Sequence, residues 1–295
     1  NQIDGVISNK NITFGDGGIT YPNTEGYVTA ETTGIRHWYQ RSGPPDARAV
    51  VLINGSDAPT SIWHVDLVEA LLGGGFQVVR YDPRDCGRSE RLPWPKGFNA
   101  RSWTPASPPP YPLDAMTEDL VGLLDALDVD EAHLVGVSMG GMIAQLMAIS
   151  FPGRVLSLSL LSTSPSNSFD PAVAAVDQER LDCIIELMQK AGTDAAFSFV
   201  LGDRWIGSLA DAMQLVTEAS DGGVDNELLI RETEDVGGYN FRSSHGFAIA
   251  AAPSRVPELT RISAPTLILH GTADPWFSLA HAKTLQEGIA GARLF

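Results

Sequence analysis

The sequence predicts an α/β fold, a mostly parallel sheet flanked by helices, and three observations carry that prediction. Short runs rich in Val, Ile and Leu alternate along the chain with stretches of helical apolar spacing. Several of these runs are apolar throughout rather than alternating, as strands covered on both faces must be. One run climbs to a serine boxed between glycines and passes at once into helix formers, "HLVGVSMGGMIAQLMA".

Taken in order, residues 1–25 carry many Gly, Asn and Thr and are left unassigned. "GYVTAE" and "IRHWYQ" meet around Thr33 and Gly34 as a hairpin at the start of the sheet. "AVVLIN" (49–54) is a buried strand, and "SIWHVDLVEALL" is a helix stopped by Gly73, Gly74 and Gly75. The strand "FQVVRYD" (76–82) follows. Residues 91–112 are proline-rich enough to predict a long irregular loop. The helix "LDAMTEDLVGLLDALDV", the strand "AHLVGV" (132–137), a helix over 139–150 and the strand "VLSLSLL" (155–161) continue the alternation. Then the rhythm breaks. Residues 165–254 have helical patterns but no buried strand, and "PTLILHG" (265–271) resumes the sheet. A helical cap over 165–254, inserted into a core made of 1–164 and 255–295, is the expected organisation. The helix "SLAHAKTLQEGI" and the start of a last strand, "ARLF", complete the pattern.

Length and composition suit one elaborated globular domain: 295 residues, 43% apolar and 19% charged. With 36 Asp and Glu against 20 Lys and Arg, the net charge of −16 argues against nucleic acid or an anionic membrane as partner. No segment approaches the roughly 18 consecutive apolar residues of a membrane helix. Cys86 and Cys183 form neither a disulfide framework nor a metal-ligand spacing, which fits a reducing compartment. No signal peptide is visible, so a cytoplasmic location is expected, although the chain opens on Asn1.

Gly136, Val137, Ser138, Met139 and Gly140 fit G-x-S-x-G, the pattern of a nucleophile at a sharp strand-to-helix turn. Only small neighbours let the chain fold back so tightly. The helix that follows directs its positive end at the site.

With this motif in place the chain resembles the α/β-hydrolase family, from about Gly26 to its end, and three further stretches match. "INGSDAP" (53–59) stands where the family has its His-Gly loop, with Asn54 in place of the histidine. The resemblance implies an oxyanion hole from the N–H groups of Gly55 or Ser56 and of Met139. "YDPRDCGRSE" (81–90) looks like the family's D-x-R-G-x-G-x-S turn, with Asp85 in the usual glycine slot. Loop scaffolding is favoured over catalysis for Asp82, Arg84 and Asp85. "GTADP" matches the family's acid turn and makes Asp274 the group that orients the base. Trp63 and His245 are candidate substrate-lining residues, with cap packing as the alternative for His245.

The base is the difficulty. Chain order Ser…Asp…His leaves only His281 after Asp274, and its place on an amphipathic helix at the sheet's flank predicts a structural side chain. In the family the histidine lies on the loop after the last strand, so the base is expected beyond Phe295. His37 and His133 read as structural, His64 sits on the helix after the oxyanion loop, and the direction of His270 is undetermined.

A serine at this turn implies acyl transfer: hydrolysis of a carboxylic ester of a small to medium organic molecule through an acyl-enzyme. It counts against the family's dehalogenase and epoxide-hydrolase branches, which use aspartate there. Asn54 and the "YDPRDCGRS" pattern are similar to esterases that demethylate anthracycline-type polyketide methyl esters. Carbon–carbon bond hydrolysis, cofactor-free perhydrolysis and a non-enzymatic ligand receptor stay open as alternatives. No metal cluster, dinucleotide fingerprint or phosphate loop is present, so no cofactor or metal is expected.

Overall fold

A computed structural model describes residues 3–13, 20–99, 102–167, 170, 173, 244–272, 274 and 276–295. The described strands are β1 (Ile3–Thr13), β2 (Thr20–Thr29), β3 (Arg36–Ser42), β4 (Ala49–Ile53) and β5 (Gln77–Tyr81). They continue with β6 (Ala132–Val137), β7 (Val155–Leu161), β8 (Thr266–Leu269) and β9 (Arg293–Leu294). All join one sheet in the order β1-β2-β3-β5-β4-β6-β7-β8-β9. Pairing is antiparallel from β1 to β3 and where β3 meets β5, and parallel from β5 to β9. The helices are α1 (Val65–Gly73), α2 (Leu113–Ala126), α3 (Met139–Ser150), α4 (His245–Ala251) and α5 (Leu279–Gly288).

The uninterrupted apolar character of the central strands has a direct structural cause. Successive side chains of a strand point to opposite faces. In β4, Ala49, Val51 and Ile53 enter the larger core, which also contains Leu120, Leu124, Ile143 and Met147 from α2 and α3. Val50 and Leu52 enter a second core on the other face with Val68 and Leu72 of α1. All five β4 residues are buried. A strand so enclosed has no solvent face on which a polar residue could stand.

Two expectations change in detail. Residues 1–25, left unassigned from sequence, supply most of an antiparallel hairpin whose second strand starts at Thr20, well before Gly26. Its pairing is with β3 and with itself, so the local composition of Asn, Thr and Gly hid it. The helix expected from Ser61 begins at Val65, after a 3-10 turn at Thr60–Ile62. His64 is its N-cap, accepting from the Asp66 N–H at 3.3 Å, which explains the later start.

The expected cap lies largely outside the described residues, since residues 174–243 are not among them, nor is Cys183. β7 and β8 are parallel neighbours, so the long connection between them leaves and re-enters the sheet at adjacent positions. Among the described residues no helix is long and apolar enough to cross a membrane.

Candidate active site

Ser138 sits between β6 and α3 with φ 53 and ψ −117. The φ is positive, as an elbow requires, but the ψ lies far from the left-handed helical region. For a residue with a Cβ this backbone costs about 1–3 kcal/mol and persists only where the surroundings over-determine it. They do. The Ser138 N–H donates to Leu161 O at 3.0 Å, and the Ser138 carbonyl accepts from Gly141 N at 3.0 Å and from Thr163 Oγ1 at 2.6 Å. The flanking glycines are needed for room. A Cβ on Gly140 would collide with the carbonyls of Ile53 and Asn54, and one on Gly136 would collide with the backbone of Gly140 and Gly141. The turn thus presses against the C-terminal end of β4. Ser138 itself is half-buried, and Met139 behind it is fully buried.

That pressure brings the predicted oxyanion loop alongside. A Cβ on Gly55 would stand 3.5 Å from Ser138 Cβ. The first N–H groups of α3, beginning with Met139, are left without carbonyl partners by the helix itself. Asn54 is wholly buried and occupied: its Nδ2 donates to Ala58 O at 2.9 Å and Tyr81 O at 3.1 Å, and its Oδ1 accepts from Trp63 Nε1 at 2.5 Å. Trp63, expected at the pocket, is therefore buried as the tie of this amide.

Asp274 follows β8, with β7 between it and Ser138's strand, so both stand beyond the C-terminal ends of parallel strands. Its Oδ1 accepts from the N–H groups of Trp276 at 2.8 Å and Phe277 at 2.9 Å, and its Oδ2 is 3.8 Å from His270 Nε2. His270 Nε2 donates to Phe277 O at 2.8 Å, closing the turn from the other side.

The remaining histidines have partners of their own. His37 lies with Nδ1 3.2 Å from Asp82 O, His133 bonds Ser157 Oγ at 2.8 Å, and His281 is buried with Nδ1 2.7 Å from Ser164 Oγ. His245 is wholly buried between Asp57 N, at 2.9 Å, and Arg84 O, at 2.7 Å. Among the described residues, none of the six histidines is hydrogen-bonded to Ser138.

The "YDPRDCGRSE" turn is built of satisfied groups. Asp82 accepts from Thr60 N at 2.7 Å and Arg88 N at 2.8 Å, and burial pushes its carboxyl up despite them. Asp85 accepts from Leu92 N at 2.6 Å and Tyr111 OH at 2.7 Å. Arg84 grips Asp119 with two bonds, 2.6 and 2.7 Å. Burial works against charge on Asp119, but His37 and Arg84 outweigh it and hold the carboxyl at about 2.

A second buried polar group was missed from sequence. Arg255 donates to Ser164 O at 3.0 Å and Gln145 Oε1 at 3.2 Å, and Gln145 Nε2 donates to the same Ser164 carbonyl at 3.1 Å. Gln145, a polar residue inside the apolar run of α3, was the available signal. No group of three or more His, Cys, Asp or Glu among the described residues could hold a metal ion.

The doubly covered parallel sheet, the strained serine and the loop packed against it define an α/β hydrolase. A family model of the alpha/beta hydrolase fold matches residues 48–185. The chain is 31% identical to rhodomycin D methylesterase DauP of Streptomyces sp. (strain C5), over 87% of this chain and 85% of that protein. It belongs to the α/β-hydrolase family. It is also 29% identical to 3-oxoadipate enol-lactonase 2 of Acinetobacter baylyi, over 90% of this chain and 86% of the other. The solved enol-lactonase from Burkholderia xenovorans is 25% identical and superposes with a TM-score of 0.62, covering 91% of this chain and 89% of that one.

Proposed function

We propose that this carboxylic ester hydrolase attacks its substrate through Ser138, forming an acyl-enzyme that water then releases. The observation that carries the reading is the backbone of Ser138, φ 53 and ψ −117, at a half-buried strand-to-helix turn. Strain held in place by hydrogen bonds to both its N–H and its carbonyl suits a side chain that must project from the sheet's rim. The tetrahedral oxyanion would be met by the N–H of Met139 and that of Gly55 or Ser56. Asp274 orients the base. The hydrogen bonds that occupy the six histidines elsewhere support a base outside these six, as the family's chain order implies.

The likeness to rhodomycin D methylesterase supports a methyl ester of a larger organic acid as substrate. The break in strand rhythm over 165–254 supports a helical cap above the site, and the two isolated cysteines support a cytoplasmic location. The test is turnover of p-nitrophenyl acetate by the full-length protein and its Ser138→Ala variant. Loss of turnover in the variant is expected. Undiminished turnover removes Ser138 from the mechanism, and a wild-type protein that binds esters without cleaving them makes the chain a receptor.

A further inference from the structure

We infer that His245 is a positioning residue for the oxyanion hole, a role that rests on the reading of Gly55 and Ser56 given above. The hole's loop is a four-residue turn in which Ala58 N–H donates to Gly55 O at 3.4 Å. Its third residue, Asp57, has φ 59, a conformation turns ordinarily give to glycine or asparagine. Left alone, such a turn gains by rotating the Ser56–Asp57 peptide and bringing Asp57 back to negative φ. That rotation turns the Ser56 carbonyl and the Asp57 N–H over and frees the loop backbone that positions Gly55 beside Ser138.

Two bonds oppose it. Ser56 Oγ donates to Asp57 Oδ2 at 2.6 Å, within the loop. The other comes from outside: the Asp57 N–H itself donates to His245 Nδ1 at 2.9 Å. His245 can hold that peptide because its own ring is held. Its Nε2 stands 2.7 Å from the carbonyl of Arg84, an atom that only accepts, so Nε2 carries the proton and Nδ1 presents its lone pair to Asp57. Arg84 is in turn locked by its paired bonds to Asp119. The strained turn is thereby referred to a buried ion pair behind the next strand. His245 also heads α4, so the loop's geometry depends on the segment that returns to the core after residue 243.

The two ring nitrogens can be separated by substitution. His245→Asn keeps an acceptor in the place of Nδ1, and His245→Gln keeps a donor in the place of Nε2. Measured on p-nitrophenyl acetate, His245→Gln should lower kcat about 10- to 100-fold with KM within about twofold, the scale of a displaced oxyanion donor. His245→Asn should recover most of that loss. The Ki of a trifluoromethyl ketone, which adds the serine oxygen and leaves an oxyanion in the hole, should rise in step with the fall in kcat/KM. Melting curves normalise each variant for its folded fraction. Equal losses in Asn and Gln variants, or a Ki that stays constant while kcat falls, would overturn the proposal. Failure of the underlying reading looks different: Ser138→Ala would still turn the ester over.

Discussion

Two sharp turns stand on the C-terminal rim of the sheet, after β5 and after β6 with β4 between those strands, and they treat their polar groups in opposite ways. In the turn after β5, Asp82, Arg84 and Asp85 are all nearly inaccessible, and every carboxylate oxygen has a named donor. In the turn after β6, Ser138 is half-buried, its carbonyl and N–H are bound, and no bond holds its hydroxyl among the described residues. Charge and motif density favour the first turn as a site. Satisfaction of its groups makes it scaffold. The second keeps its backbone rigid and leaves the Ser138 hydroxyl unbound, the combination that the proposed role of Ser138 needs.

The sharpest way to break this contrast is Ser138→Ala. It should lower ester kcat by roughly 10⁴- to 10⁶-fold, the scale of losing a nucleophile, with the melting temperature little changed because alanine keeps the Cβ. The matching change in the scaffold turn, Arg84→Met, should act mainly on stability. It strands the Asp119 carboxylate in the interior and should cost about 3–5 kcal/mol of stability, read by denaturant unfolding, while folded molecules keep their KM.

Acid unfolding sharpens the scaffold's side. Asp119 is held at about 2, below the ordinary carboxylate value of 3.8, so its contribution is full above pH 4 and is lost as pH falls toward 2. That contribution is about 2 kcal/mol, and Asp119→Asn should flatten the stability profile in this window. Asp82, pushed up by burial, acts with the opposite sign and blunts the slope. The smallest expected effect is Trp63→Phe, which leaves Asn54 Oδ1 buried without its donor. A loss of about 1–3 kcal/mol in stability is expected, with kcat reduced less than by any change at His245.

The strands from β4 to β8 were legible because each repeats one local signal, an apolar run of strand length, and in β4 burial on both faces makes that signal strong. α3 was legible to the residue, since a glycine-boxed serine marks its start and Phe151–Pro152 its end. β1 was not legible: its partner is β2, and pairing that depends on register leaves little trace in composition. For the proposed site, Ser138 was nominated from its motif and Asp274 from the family resemblance, and both stand beyond the C-terminal ends of parallel strands; the satisfied groups of Asp82 and Asp85 agree with the scaffold reading of their turn.

Sequence by itself determined the α/β class, the order of its strands and helices, and which serine stands at the turn, because these follow from periodicity and from residues with few conformational alternatives. The tertiary structure alone decided what each polar side chain does. His245 and Trp63 could not be placed from sequence as struts of the loop beside Ser138, since their partners, Asp57, Arg84 and Asn54, lie up to 188 positions away. A hydrogen bond is made by distance and direction in space, and local sequence carries neither for residues that only the folded sheet brings together.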